Sequence, residues 1–381
     1  MPWPSSFSGN LEEIPGIYVD NFENPENDGA RAYFLSHFHS DHVVGLGHSA
    51  LFYKLTKEEN VFIYATKMTE AIIVHKYPSY RPFVKALQLG SNLITVPGDA
   101  KDSSECYLNV TVISAGHCLG SAMFLFETTT AKVLYTGDFR IRPNDLPKYA
   151  AFHTKDGDII KLDALYVDTT FIDDEYQEFP KRSESIDVTV HLIKKWLQDN
   201  NQYVRLMTSA YYGYEYVFNQ IYKVLNMKVY VDAERWKFYS TIQHLVPSVT
   251  NNPDETRIFL DIPSGFASKE WKTMKFSAMK FRCWNDGPSV ETNDDSYFSV
   301  CFSTHCSRLE LISFVEYLQP VKVVGFPKPY NVCGSTVDMP AISLSPKKSP
   351  KKRPCQSSQP RPRKDRKVDS TLLKELLANN S

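Results

Sequence analysis

The sequence predicts an α/β fold. Three observations carry that reading. β-Branched and aromatic runs alternate with polar loops over roughly the first 170 residues, helical periodicity is clearer beyond them, and one more strand-like run follows the last helix. Taken in order, Ala32–Leu35 is a strand that runs into a His-rich loop. Val110–Ile113, Ala122–Phe126, Lys132–Tyr135 and Ala164–Val167 have the same character. Ile186, Val190, Ile193 and Leu197 then share one helix face, with Ser183 or Ser185 available to cap its start. A second helix begins near Gly213 and carries Val217, Phe218, Ile221 and Leu225 on one stripe. In a third, Ser307 and Glu310 form an S-x-x-E capping box, Leu311, Phe314, Val315 and Leu318 make the apolar face, and Pro320 ends it. Val321–Val324 reads as the closing strand, and no repeat at a solenoid period is visible.

Composition narrows the class. At 381 residues and 42% hydrophobic, the chain has more core material than one compact domain usually needs. No apolar run approaches the ~20 residues that span a bilayer. The start, MPWPSSFSGN, has neither a basic nor an apolar leader segment, so no secretory signal is expected. The seven cysteines are scattered and form no C-x-x-C pair, which argues for a reducing compartment and against a disulfide framework. A net charge of −1 hides an asymmetry: residues 347–381 hold 11 Lys and Arg against 3 Asp and Glu. An acidic body therefore carries a basic, Pro- and Ser-rich tail from about Met339, which cannot bury a core and is expected to be disordered. Its KKSPKKRP and RPRKDRK runs read as a nuclear-import signal, a non-specific nucleic-acid binder, or a plain solvated tail.

The strongest chemical signal is His37-Phe38-His39-Ser40-Asp41-His42, directly after a strand. Side chains alternate along an extended stretch, so His37 and His39 point to one side and one metal can take both. Asp41 and His42, past the turn, can face a second metal. Imidazole with carboxylate suits zinc. The bland alternative is a polar loop with chance histidines, but only ten His occur in the chain. Two later segments extend the set. Ala115-Gly116-His117-Cys118 lies between two strands, and Tyr135-Thr136-Gly137-Asp138-Phe139 ends another. Taken singly, each is a weak signal, because a lone His on a loop is more often structural. With the first cluster they fit a two-metal hydrolase site, His117 as a third imidazole and Asp138 as a bridge.

These segments resemble a known family. HFHSDH, AGHCLGS and YTGDFR are similar to the second, third and fourth motifs of the metallo-β-lactamase fold, and Asp20 in Ile17-Tyr18-Val19-Asp20 matches the first. YVDTTF, with Asp168, resembles motif A of the β-CASP group, and CFSTHCS, with His305, resembles motif B. The resemblance implies an αββα sandwich with an inserted β-CASP α/β domain. It divides the chain into 1–168 as the first part of the metallo-β-lactamase domain, 169–300 as the β-CASP domain, 301–338 as the return, and 339–381 as the tail. It also implies that His37, His39, His117 and Asp138 hold a first metal, zinc, and that Asp41, His42, Asp138 and His305 hold a second, which is Zn, Mg or Mn. Asp20 would orient a metal-binding histidine, and Asp20, Asp41, Asp138 and Asp168 form the catalytic carboxylate set.

β-CASP proteins are nucleases, and RNA-processing members carry a His at motif C. No His follows His305 here, which points to the DNA cross-link-repair branch. The implied activity is an endonuclease with 5′–3′ exonuclease activity that opens hairpins and trims overhangs in non-homologous end joining. The implied partners are DNA hairpins, overhangs and single-strand/double-strand junctions, and a DNA-dependent protein kinase; the implied location is the nucleus, with no membrane association. A 5′–3′ exonuclease of interstrand cross-link repair or telomere maintenance is the alternative, and a non-catalytic DNA-binding scaffold is the alternative of another class. Ser209, Tyr212 and Tyr214 lie at a helix start, where hydroxyls suit phosphate and aromatic rings suit unpaired bases. Ordinary half-buried packing explains the tyrosines equally well. Two departures stand out. Leu119 replaces the Pro usual in the third motif. The structural zinc site of two His and two Cys found in a related branch member is expected to be absent, because Tyr230 and Phe259-Leu260-Asp261 stand where ligands would be.

Overall fold

The computed structural model describes residues 6–26, 28–98, 106–284, 287–292 and 294–332. The basic tail and the short amphipathic run at 370–377 lie outside the described residues.

Two sheets and their flanking helices form the first body. The first sheet is wholly parallel, with β1 (Ile17–Val19), β2 (Ala32–Leu35), β3 (Ile63–Thr66) and β4 (Val84–Leu87) in sequential order. The second runs as an antiparallel meander through β5 (Gly90–Val96), β6 (Cys106–Ser114), β7 (Ala122–Glu127) and β8 (Lys132–Tyr135), then adds β9 (Ala164–Asp168) in parallel. The sheets meet face to face. Phe34 of β2 packs edge-on against Phe124 and Phe126 of β7, with ring centroids 5.3 and 4.9 Å apart.

Side-chain alternation explains why these strands are apolar at nearly every position. Phe34 faces the inter-sheet core, while Tyr33 and Leu35 face α1 (Ser49–Lys57) and α2 (Lys67–Lys76) on the outer side. In β9, Ala164 and Tyr166 point inward, and Leu165 and Val167 point out. A strand covered on both faces must be apolar on both. This is the αββα arrangement of the metallo-β-lactamase fold.

A third sheet of seven strands is built from residues 202–300. β10 (Gln202–Met207) lies at its centre, beside β13 (Ile258–Phe259) and β14 (Glu270–Phe276). β11 (Val229–Tyr230) and β12 (Val249–Thr250) extend one side, β16 (Tyr297–Val300) and the antiparallel β15 (Val290–Thr292) the other. Its helices are α3 (Arg182–Trp196), α4 (Glu215–Leu225) and α5 (Ala233–Tyr239). The chain then returns through α6 (Arg308–Leu318) to β17 (Lys322–Phe326), which pairs in parallel with β9 and sets Phe326 opposite Asp168. α6 covers the outer face of the second sheet with Leu311, Phe314 and Leu318. Among the described residues no helix is long and apolar enough to cross a membrane.

Two local readings are corrected. α3 starts at Lys181 rather than at a serine cap, because Glu184 reaches back to accept the Lys181 N–H at 3.2 Å. Ser185 is instead inside the helix and donates to the Cys301 carbonyl at 2.6 Å. The closing strand is Lys322–Phe326, set by its pairing with β9, and Val321 is left exposed. The S-x-x-E box at Ser307 is formed as read: Ser307 Oγ accepts the Glu310 N–H at 3.3 Å and Glu310 accepts the Ser307 N–H at 2.8 Å.

Candidate metal centre

Every residue of the cluster sits at or just past the end of a strand. The turn after β2 is closed by the His42 and Val43 N–H groups, which both donate to the His39 carbonyl at 3.1 and 3.2 Å. It gathers His37, His39 and His42, with His37's ring centroid 4.5 Å from His39 and 4.2 Å from His42. His117 follows β6, Asp138 follows β8, Asp168 ends β9, and His305 precedes α6. Gly137 makes the approach possible. It holds φ +53°, and a Cβ there would lie 2.6 Å from Ser36 Oγ.

Asp138 is the centre of the arrangement. One carboxylate oxygen lies 3.2 Å from His42 Nε2; the other lies 3.4, 3.5 and 3.9 Å from the Nε2 atoms of His37, His117 and His305. Asp41 joins from the open side, 3.5 Å from His42 Nε2, with its side chain 39% exposed.

Each imidazole is tied by its outward nitrogen. His42 Nδ1–H donates to Asp20 at 2.8 Å, and His305 Nδ1–H donates to Asp168 at 2.8 Å. His37 Nδ1–H donates to Ser36 Oγ at 3.0 Å, His39 Nε2–H to the Tyr212 carbonyl at 3.0 Å, and His117 Nδ1–H to the Thr304 carbonyl at 3.1 Å. Those bonds set the tautomers, so the inward nitrogens of His37, His39 and His117 carry lone pairs. Asp20 is itself fixed by the Ser36 N–H at 2.7 Å, the Ser36 hydroxyl at 2.5 Å and the Tyr135 hydroxyl at 3.0 Å. Asp168 accepts from the Thr170 N–H at 2.9 Å and hydroxyl at 2.6 Å.

The consequence decides what the site holds. His39 Nδ1 and His117 Nε2 aim their lone pairs at each other across 3.0 Å, and buried His37 Nε2 has no hydrogen-bond partner. Lone pairs converging in a dry site repel unless a cation sits among them. His37, His39, His117 and Asp138 offer ligand atoms all within 4.8 Å of one another, as do Asp41, His42 and Asp138, and Asp138, Asp168 and His305. This donor set, nitrogen-rich with anionic oxygen, fits divalent cations, and histidines held from behind by carboxylate or carbonyl are the usual form of such centres.

Charge follows the same geometry. Burial alone would raise the Asp138 carboxyl, but the surrounding imidazoles, His42 foremost, hold it well below the usual range. Burial would also strip the proton from His42, yet Asp138 and Asp20 outweigh it and push the group well above its ordinary value. His305 is treated likewise by Asp168 and Asp138 and is pushed up to about 9. His39 and His117, tied to neutral oxygens, are dominated by burial: His39 is pushed down to about 3 and His117 well below its ordinary value.

The sequence reading of the aromatic run needs correction. Tyr214 is 5% exposed, packs against Phe276 and Phe302, and hydrogen-bonds Ser209 Oγ at 2.7 Å. It precedes α4 and is buried with that helix's apolar face, so its ring is not available to a base. Ser209 is exposed, but its hydroxyl is shared with that phenol. Tyr212 packs its half-buried ring on Phe238 and meets the centre through its carbonyl. In the stretch where a structural zinc was considered, Arg235 is clasped by Asp232 and Asp261. Reading residue types missed Ser36, Tyr135 and the carbonyls of Tyr212 and Thr304. It also gave no role to Arg140, two residues past Asp138. That buried guanidinium pairs with Glu310 at 3.0 Å and donates to the Ser303 carbonyl at 3.0 Å, which seats the His305 loop.

The family described as DNA repair metallo-beta-lactamase matches residues 223–327. Protein artemis of Rattus norvegicus is 32% identical over 362 residues, covering 90% of this chain and 51% of the relative. The chain is thus similar to the DNA-repair metallo-β-lactamase family over residues 223–327 and to protein artemis over 90% of its length. Protein artemis of Homo sapiens is 31% identical over 362 residues, with the same coverage of 90% and 51%. DNA cross-link repair 1A protein of Gallus gallus is 28% identical over 340 residues, covering 82% of this chain and 32% of that protein. The chain thus spans about half the length of the artemis relatives it matches.

Proposed function

We propose that this chain is a metal-dependent DNA nuclease that hydrolyses phosphodiester bonds at DNA ends in repair. The observation that carries the reading is the pair of opposed lone pairs on His39 and His117, 3.0 Å apart beside the unpartnered His37 nitrogen and the Asp138 carboxylate. In this reading His37, His39, His117 and Asp138 hold the first ion, zinc. Asp41, His42, Asp138 and His305 hold the second, which is zinc, magnesium or manganese. When bound, such an ion pair supplies hydroxide at neutral pH and offsets the negative charge of an in-line displacement.

The chain's own residues supply position and access. Asp138 stands between the ligand groups, with one oxygen toward His42 and the other toward His37, His117 and His305. Asp20 and Asp168 hold His42 and His305 in one tautomer and orientation. Asp41, His305 and His39, the partly exposed members, mark the side from which a backbone phosphate enters. The expected products are a 5′-phosphate and a 3′-hydroxyl.

In the finer reading the enzyme is an endonuclease with 5′–3′ exonuclease activity. It opens hairpins and trims overhangs in non-homologous end joining, in the nucleus, with a DNA-dependent protein kinase as partner. Residues 169–300 form its β-CASP insertion and 301–338 its return. The likeness to DNA cross-link repair 1A protein favours a second reading, a 5′–3′ exonuclease of cross-link repair. Elemental analysis of the purified chain, paired with cleavage of hairpin and 5′-phosphorylated single-stranded DNA, tests both. Bound zinc with internal nicks near the hairpin tip supports the first. Ladders from the 5′ end support the second. Full cleavage by folded Asp41→Ala or His39→Ala protein rejects the site, and metal binding with no cleavage leaves a DNA-binding scaffold.

A further inference from the structure

His39 is held from behind by a residue of the third sheet's region. Its Nε2–H donates to the Tyr212 carbonyl at 3.0 Å, so the aim of its Nδ1 lone pair depends on where the Tyr211–Gly213 loop sits. That loop has little stiffness of its own. Tyr211 is 44% exposed, and Gly213 takes φ +112°, a conformation in which a Cβ would lie 3.1 Å from Cys118 Cβ and 3.4 Å from His39 Nε2. Something else must hold it against the histidine.

α5 does so at three consecutive points. Its Arg235 stacks on the Tyr211 ring, with Cζ 4.2 Å from the centroid. Its Phe238 packs edge-on against the Tyr212 ring at 5.0 Å. Its Tyr239 hydroxyl donates at 2.7 Å to Glu215, whose carboxylate accepts the Gly213 N–H at 3.0 Å. Positions 235, 238 and 239 are i, i+3 and i+4 of one helix and share a face. Arg235 is the member fixed from outside the helix face. It is paired with Asp232 at 3.3 Å and with Asp261 of the segment after β13, and its side chain is only 11% exposed. Asp232 also caps α5, accepting the Arg235 N–H at 2.8 Å, and accepts the Tyr211 hydroxyl at 3.5 Å.

We propose that Arg235 is a positioning residue for the metal centre. Clasped by Asp232 and Asp261, it seats Tyr211 and thereby fixes the Tyr212 carbonyl that orients His39. The proposal rests on the metal-centre reading above. A planar, always charged guanidinium suits the task, since it can pair with two carboxylates at its edge and stack through its face. Orienting partners behind a metal-ligating histidine are worth about 10–100-fold in affinity. Arg235 acts one step further out, so the lower end of that range is expected.

The test titrates cobalt(II) into the metal-free full chain and follows its visible absorption bands and dissociation constants. Wild type, Arg235→Ala, Arg235→Lys, Tyr211→Leu and His39→Ala are compared. Arg235→Ala and Tyr211→Leu should each weaken the tighter cobalt by about tenfold and alter its band shape, while the second equivalent is unchanged. The double variant should lose no more than either single one. Arg235→Lys, which retains charge but not the stacked fork, should recover only part of the affinity. If wild type and His39→Ala take up cobalt equally, the metal-centre reading fails. If wild type binds through His39 but folded Arg235→Ala and Tyr211→Leu match it in affinity and spectrum, the positioning role is overturned. Tyr211→Leu leaves the Arg235 ion pairs in place, so it decides the matter should Arg235→Ala not fold.

Discussion

His42 and His305 lean on carboxylates, whereas His37, His39 and His117 lean on a hydroxyl and two backbone carbonyls. The rings are the same and so is Asp138 at their centre, but the two groups are electrically unlike. Asp20 and Asp168 lend negative charge through the imidazole, so in the metal-free protein His42 and His305 hold protons where a cation would sit. His39 and His117 receive no such help, and burial keeps them neutral. One half of the centre is therefore filled by protons that an incoming ion must expel, and the other half is open to it. The two proposed metal positions differ in what binding costs at a given pH, although their ligand types are nearly the same.

The largest expected effect removes the residue the halves share. Asp138→Ala should abolish cleavage and lower metal content at both positions, read by elemental analysis of folded protein; loss at one position only would mean that the halves are independent. Next, Asp20→Asn and Asp168→Asn keep the shape of each tether and remove its charge. Each should weaken the second ion by about 10–100-fold and spare the first, measured by metal titration. An equal loss at both positions would erase the distinction drawn here.

The pH dependence is a finer probe of the same difference. His305, pushed up to about 9 by Asp168 and Asp138 against the effect of burial, is protonated below that value and competes with metal. Affinity at the second position should rise between pH 6 and 9, by about tenfold per pH unit for each proton that His305 and His42 give up. His39, pushed down to about 3, is neutral throughout that range and should give the first position no such slope. The stability of the metal-free chain should move the other way. The contribution of protonated His305 is fully present below about pH 6.5 and is lost as pH rises through about 9. Thermal melting of the metal-free chain against pH checks the sign. The smallest effect is Tyr135→Phe, which deletes one donor to Asp20 at 3.0 Å. It should cost about 1 kcal/mol, roughly fivefold in affinity at the second position, and nothing at the first.

Much of this was legible in residue types. The His37–His42 run is dense in ligands because a metal needs several donors on a short, stiff turn. Lys132–Tyr135 is a strand as read, Ala164–Val167 extends by one residue to Asp168, and the Ser307–Glu310 cap forms as read. Those features depend on local periodicity and on side chains with few alternative uses. Tyr214 was misread for the opposite reason. A tyrosine at a helix start serves equally as a core ring or a surface ring, and only the packing of Phe276 and Phe302 around it decides.

The sequence by itself determined which side chains can bind metal and which strands deliver them, because donor chemistry and hydrophobic alternation are properties of residues. Only the tertiary structure decided which nitrogen of each histidine looks inward. That choice is made by Asp20 and Asp168 from distant strands and by the carbonyls of Tyr212 and Thr304. A carbonyl exists at every residue and leaves no mark in the sequence, so its role appears only when the chain has folded it against a ring.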